Sequence, residues 1–137
     1  MKFYLEILMA KAKYGRTYLK LTDTSRDSLL KHFPPKFSEV FAEHITLEYG
    51  LLSETDYQFS RVSVIGYQCT SYIEVLVVAI NGNYTRPFDK EILHITLSAE
   101  PGIAPVCSNY VLDAKHFETH QPELVLDVEF QTKLFNF

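Results

Sequence analysis

The sequence predicts an α+β fold built mainly on antiparallel β-sheet, with few helices. Six segments have the alternating or continuously apolar character of strands, one segment carries helix signals, and Asn81-Gly82 is typical of a tight turn between strands. Many strands with polar connections and little helix are typical of antiparallel α+β domains. Because no linker or low-complexity tract interrupts the chain, we expect a single domain over residues 1–137.

The predicted elements follow one another in a simple order. A strand at 18–22 leads into a short helix, because Thr24-Ser-Arg-Asp27 matches a helix start and Pro34-Pro35 forbids continuation. The other predicted strands are 45–49, 60–65, 73–80, 92–97 and 124–130. The run 75–80 is the longest apolar stretch and is far shorter than the roughly 20 residues of a membrane-spanning helix. We therefore expect a buried strand there and no membrane insertion.

The charges of the chain are unevenly distributed. Residues 1–36 carry eight Lys and Arg against three acids, a formal charge of +5, whereas residues 37–137 carry five against fourteen, which is −9. Binding a long polyanion needs many phosphate contacts over a surface, so this distribution argues against a protein that coats long duplex nucleic acid. It leaves open a small anionic ligand held by the basic N-terminal part.

The cysteines and the N-terminal segment suggest a compartment. Cys69 and Cys107 lie 38 residues apart without a CxxC pair, which argues against a disulfide framework and suits a reducing environment. Segment 3–10 carries Glu6 in its middle and does not look like a secretory signal. We expect a cytoplasmic protein, in the cytoplasm of the host cell if it is viral, and a monomer by default.

A tetrapeptide that occurs twice is the most informative feature. His44-Ile45-Thr46-Leu47 recurs as His94-Ile95-Thr96-Leu97, and composition alone would produce such a match with a probability of about 0.002. In a strand, side chains alternate between faces, so the His and Thr of each copy share one face while Ile and Leu anchor the other. By the same alternation, Ser98 extends the polar face of the second copy. Two such strands facing each other would form a pocket with two imidazoles and two hydroxyls.

This set of side chains can perform phosphoester chemistry. One neutral imidazole can take a proton from the attacking oxygen, the other can give a proton to the departing oxygen, and the hydroxyls can hold the phosphate oxygens. A zinc centre is an alternative, but zinc catalysis usually takes a third protein ligand. His116 and His120 are spaced i, i+4, yet Glu118 does not stand where an HExxH motif needs it. We expect neither a metal nor a cofactor. A purely structural role for both copies would leave the repeat unexplained.

Paired His-apolar-Thr-apolar motifs resemble the two-histidine phosphoesterase superfamily. Its members include RNA 2′,3′-cyclic phosphodiesterases, the cyclic phosphodiesterase part of tRNA ligases, and viral or phage enzymes that cut oligonucleotides and cyclic oligonucleotide immune signals. The resemblance implies a bilobal, pseudo-twofold fold with the active site between the lobes. It implies that His44 and His94 are the acid/base pair and that Thr46 and Thr96 bind phosphate. No long helix is predicted between 80 and 94, so the second lobe is reduced or its helix follows Pro105.

The sequence leads to three functional hypotheses. The leading hypothesis is a metal-independent phosphodiesterase acting on a nucleotide 2′,3′-cyclic phosphate or an RNA end. The alternatives are cleavage of cyclic di- or oligonucleotide immune signals, as in phage counter-defence, and a nucleotide-binding module without catalysis. The expected partner is a nucleotide or short oligonucleotide, with no membrane. Further candidate contacts are Tyr18 and Tyr49, which stack on a base or else pack in the core, Arg16 and Lys20, which neutralise phosphate, and Ser98.

Overall fold

A computed structural model describes residues 13–53, 57–87, 89–112 and 117–135. Within these ranges the chain forms eight strands and two helices. They are β1 (Tyr14–Leu21), α1 (Asp23–His32), β2 (Glu39–Val40), β3 (His44–Leu51), β4 (Val62–Cys69), β5 (Ile73–Ile80), β6 (His94–Ala99), α2 (Ser108–Val111), β7 (Glu118–Val125) and β8 (Val128–Leu134). A single 3-10 turn, Pro105–Cys107, precedes α2.

The strands form two antiparallel sheets, as the sequence predicts. The first has three strands in the order β3-β1-β8, and the second has five in the order β2-β6-β5-β4-β7. Every named strand pair is antiparallel. The predicted α+β class with few helices is therefore confirmed. The first histidine motif lies on β3 in one sheet and the second on β6 in the other.

Backbone hydrogen bonds join the segment before β3 to the second motif strand, β6. The segment between β2 and β3 follows β6, where the Phe41 N–H donates to the Leu97 carbonyl and the Ala42 N–H donates to the Thr96 carbonyl, both at 2.9 Å. The chain then crosses to the first sheet, and Glu43 accepts from the Leu21 N–H at 3.0 Å. Ala42 makes this crossing with a φ of 53°, in the left-handed region. His44 thus begins β3 directly after a backbone bonded to the second motif.

One apolar cluster lies under both motifs. Ile45 of β3 and Ile95 of β6 are fully buried in it, and residues of β1, β4 and β5 complete it. Burying these side chains fixes the register of each strand, because a slip by one residue would turn the apolar face to solvent. The histidine and threonine of each motif therefore point away from this core.

Both motif strands contain a β-bulge at the same place. Along β3, Tyr18 pairs with Thr46 and Thr17 pairs with Glu48, so Leu47 is the extra residue. Along β6, Val75 pairs with Thr96 and Glu74 with Ser98, which leaves Leu97 as the extra residue. A bulge interrupts the alternation of faces. As a result, Glu48 and Ser98 are buried rather than aligned with the histidines.

Several predicted elements are confirmed and two are corrected. Strand 73–80 is buried as expected. The Asn81-Gly82 turn is present, with φ values of 50° and 85°. The helix ends before Pro34, but its N-cap is Thr22, whose hydroxyl accepts from the Ser25 N–H at 3.2 Å, rather than Thr24. The predicted strand 124–130 is wrong as a single element.

The chain changes sheets inside the predicted strand 124–130. β7 ends at Val125 in the second sheet and β8 begins at Val128 in the first. The Leu126 N–H donates to the Val62 carbonyl, and the Asp127 N–H donates to the Ser25 hydroxyl at 2.7 Å. The alternating pattern continues through the crossing, which is why the sequence alone did not reveal it. A four-residue helix follows Pro105, which was one of the two alternatives expected for this part of the chain.

None of the helices in the described ranges is long and apolar enough to cross a membrane. Segment 3–10, which bears on the predicted absence of a secretory signal, lies outside the described residues.

Candidate active site

The two motifs meet at one small cavity of about 50 Å³. His44 and Thr46 line it from β3, and His94 and Thr96 line it from β6. Phe41, Glu43 and Pro105 complete its wall. Because side chains alternate along each strand up to the bulge, the His and Thr of both motifs share the face that lines the cavity. The four residues predicted as the core of the site therefore lie together.

The His94 side chain is held in one orientation. Its Nδ1 lies 2.8 Å from the Ile92 carbonyl oxygen, so Nδ1–H donates to that carbonyl and Nε2 is left to exchange protons. Burial lowers the pKa of His94 below its ordinary 6.5, and the charge of Arg86 acts in the same direction. The bond to Ile92 and the charge of Glu91 act against this shift. His94 is therefore mainly neutral at pH 7.

The pKa of His44 is also lowered, with burial as the largest cause. The positive charges of Arg16 and His94 lower it further, whereas Glu43 raises it. Arg16 Nη1 lies 3.4 Å from His44 Nε2. Because a guanidinium can only donate, Nε2 accepts in this arrangement and is unprotonated. Of these effects on the pKa of His44, that of His94 is the smallest.

Arg16 and Tyr18 form a stacked pair beside His44. The guanidinium carbon of Arg16 lies 4.6 Å from the centroid of the Tyr18 ring, which in turn meets the His44 ring edge-on at 5.5 Å. The Tyr18 hydroxyl donates to Gln131 on β8 at 2.9 Å. Tyr18 is therefore held between two sheet strands at the site. Gln131 was missed in the sequence, because the crossing between β7 and β8 hid its position.

Ser108 supports the second threonine. Its hydroxyl oxygen lies 2.7 Å from that of Thr96, and the Pro105 carbonyl accepts from Thr96 at 3.4 Å. Ser108 is fully buried, so water cannot replace this contact without a change in packing. Sequence reasoning missed Ser108, since a lone serine in a four-residue helix carries no recognisable pattern.

The predicted contact of Ser98 requires correction, and one of the two interpretations of Tyr49 is excluded. Ser98 does not extend the polar face: it is fully buried, donates to the Glu74 carboxylate and accepts from the Phe37 N–H at 3.2 Å. The bulge at Leu97 turns it away from the cavity, so the prediction of a substrate contact is wrong. Tyr49 is 72% exposed, which overturns core packing, and its ring lies 5.2 Å from Phe135. A stacking role for Tyr49 stays a prediction.

A larger groove of about 340 Å³ adjoins the cavity on the β1 side. Arg16, Tyr18 and Lys20, which were predicted as phosphate and base contacts, line it. Glu43 and His44 line both spaces, so the groove and the cavity are neighbours. Arg26, Glu43 and Gln131 also line it and were not predicted. Arg26 lies on the helix α1, where a basic residue has no distinguishing pattern.

The donor set fits proton transfer and anion binding. In the described part of the chain, no three His, Cys, Asp or Glu side chains are grouped so that they could hold a metal ion. His120 packs its ring 4.7 Å from Phe33, and His116 lies outside the described residues. The cavity instead combines two neutral imidazoles, two hydroxyls and a nearby guanidinium.

Comparisons with protein-family models, with curated proteins and with solved structures found no match to this chain. Its function must therefore be argued from the site itself.

Proposed function

We propose that this protein is a metal-independent phosphodiesterase of the two-histidine type, acting on a nucleotide 2′,3′-cyclic phosphate or an RNA end. The observation that carries the proposal is the meeting of both His-x-Thr motifs at one cavity. The matched bulges of β3 and β6 support a bilobal, pseudo-twofold arrangement in which each sheet supplies one half of the site.

The cavity has the size and chemistry for one phosphate group. At about 50 Å³ it has no room for a nucleoside, which would extend into the adjoining groove. The hydroxyls of Thr46 and Thr96 would donate to the non-bridging oxygens, and Arg16 would neutralise the charge of the phosphodiester. A donor set aimed at these oxygens also stabilises the extra charge of the transition state.

The proton transfers balance with two histidines. Water attacks phosphorus, one imidazole takes a proton from it, and the P–O bond to one ribose oxygen breaks as the other histidine gives that oxygen a proton. The product is a phosphomonoester and the histidines have exchanged roles. Both imidazoles are mainly neutral without substrate, and the bound anion favours protonation of one of them.

Alanine variants test the proposal most directly. His44→Ala and His94→Ala should each reduce kcat by at least about 100-fold, in the range of general acid–base catalysis, and the double variant should be little worse than either single one. The exposed His32 on α1 provides a matched control, since His32→Ala removes an imidazole outside the site. Turnover that survives in both single variants would refute the proposal.

A substrate panel in EDTA separates the alternatives. Retained turnover in EDTA is expected, and its loss would favour a metal enzyme. Cleavage of cyclic di- or oligonucleotides is the second candidate, favoured by the groove next to His44, which has room beyond the scissile phosphate. Calorimetric binding without any product would instead indicate a nucleotide-binding module. A cytoplasmic site of action is part of the proposal, and the free thiols of Cys69 and Cys107 support it.

A further inference from the structure

The groove beside the catalytic cavity contains three cations, Arg16, Lys20 and Arg26. The ion pairs among the described residues are Arg61–Glu123 and Arg86–Asp89, so none of the three cations takes part in one. This holds even though the carboxylates Asp23 and Glu43 line the same groove. No carboxylate in the described part of the chain therefore neutralises them by an ion pair.

The positions of these cations surround His44. Lys20 is the direct cross-strand neighbour of His44, and side chains in such a pair begin about 5 Å apart. Arg26 donates from Nη2 to the Phe41 carbonyl at 3.1 Å, and Phe41 lines the catalytic cavity. Arg16 already contacts His44 Nε2. Arg16 and Lys20 thus lie beside His44, and Arg26 is bonded to a residue that lines the catalytic cavity.

We propose that this groove binds a second phosphodiester group of the substrate through Lys20 and Arg26. The inference rests on the proposed function of the neighbouring cavity and names its substrate class: a dinucleotide or longer oligonucleotide, linear or cyclic, rather than a mononucleoside cyclic phosphate. The groove's volume of about 340 Å³ lies within the range of small-molecule sites, whereas the cavity of about 50 Å³ does not.

The carboxylates define the charge of the ligand. Arg16 is assigned to the phosphate in the cavity, so Lys20 and Arg26 are balanced by Asp23 and Glu43, and the rest of the groove lining has no formal net charge. A phosphodiester with one negative charge suits such a lining better than a terminal phosphate, which carries nearly two at pH 7. Asp23 and Glu43 can accept hydrogen bonds from ribose hydroxyls or base amino groups, which a nucleotide offers and inorganic phosphate does not.

Binding to the turnover-deficient His94→Ala variant tests the inference, because His94 lies outside the groove. The probes are a mononucleoside 2′,3′-cyclic phosphate, a dinucleotide ending in a 2′,3′-cyclic phosphate, and the same dinucleotide with an uncharged methylphosphonate in place of its inner phosphodiester. We expect the charged dinucleotide to bind about fivefold more tightly than either other probe, which corresponds to the upper range of an exposed charge contact. Lys20→Ala in this background should remove most of that preference, and Lys20→Glu all of it. The exposed Lys31 on α1 supplies the control, Lys31→Ala.

The results separate this inference from the proposed function. The proposed phosphodiester site in the groove would be refuted if the charged and methylphosphonate dinucleotides bound equally, or if Lys20→Ala and Lys31→Ala had equal effects. Either result would refute it even if the wild type hydrolyses mononucleotides. Charge-selective binding without hydrolysis by the wild type would support the groove and reject the phosphodiesterase. Both the groove and the phosphodiesterase would be supported by a KM that is lower for the charged dinucleotide than for the other probes. That KM should rise only in the Lys20 variants.

Discussion

Removal of the Ser108 hydroxyl should lower activity through Thr96. The two hydroxyl oxygens are 2.7 Å apart, and Ser108 has no exposed surface. If Ser108 donates to Thr96, the Thr96 proton remains available for a phosphate oxygen, and the chain of two hydroxyls strengthens that donation. In Ser108→Ala, Thr96 keeps only the Pro105 carbonyl at 3.4 Å, which competes with the substrate for the same proton.

The size of the effect follows from one hydrogen bond. Loss of a neutral, buried bond costs about 1 kcal/mol of unfolding free energy, or roughly 3–5 °C in Tm for a chain of this size. A similar loss of interaction in the transition state lowers kcat/KM about fivefold. Ser98→Ala is the matched control, because it also removes a fully buried serine hydroxyl, but one bonded to Glu74 and turned away from the cavity. Its stability should fall by at least as much as that of Ser108→Ala, because the lost bond is to a charged group.

The assay combines stability and turnover. Urea unfolding gives the free energy of each variant, and hydrolysis of a dinucleotide ending in a 2′,3′-cyclic phosphate is measured at a temperature where both are folded. We expect kcat/KM to fall in Ser108→Ala and to stay at the wild-type value in Ser98→Ala. Ser108→Thr, which restores a hydroxyl, should recover part of the activity. Equal activity in the two alanine variants would refute the role of Ser108.

Three further predictions concern the electrostatics of the site. Arg16→Met should raise the pKa of His44 toward its ordinary value, because a positive charge beside the ring is lost, and NMR titration of the imidazole checks this. For the proposed phosphodiesterase activity, kcat/KM should be greatest on the acid side of pH 6.5, since the pKa values of both histidines are lowered; an optimum above pH 7 would contradict the assignment. The folded state should lose stability as the pH falls from 6.5 through these lowered values, because the unfolded chain then binds more protons, and His94→Gln should reduce that loss in urea titrations.

The sequence was sufficient to predict the four residues that meet at the cavity and most of the strands. Apolar alternation located the strands, the Pro34-Pro35 pair ended the helix, and the repeated tetrapeptide identified the four residues at the cavity. These features are local: each depends on side-chain period or backbone chemistry within a few residues. The strand at 73–80 and the turn at Asn81 were also predicted correctly, because their signals are local.

The remaining features depend on contacts between distant segments. The bulges at Leu47 and Leu97 exist only through pairing with β1 and β5, so simple alternation placed Ser98 on the wrong face. Ser108 and Gln131 reach the site from the last third of the chain, on a short helix and on a strand that follows an unrecognised crossing. No sequence spacing predicts that these two residues lie near the motifs, because only tertiary contacts bring them to the site.

The bulges also explain why the repeat is four residues long. Within each copy, His and Thr must share a face toward the cavity, and the leucine that follows is the inserted residue with its side chain in the core. The next residue then also turns inward, where Glu48 accepts from Ser53 and Tyr57, and Ser98 donates to Glu74. Those partners differ between the sheets, so the sequences diverge after the leucine. The repeat thus ends at the position where the hydrogen-bond partners of the two strands begin to differ.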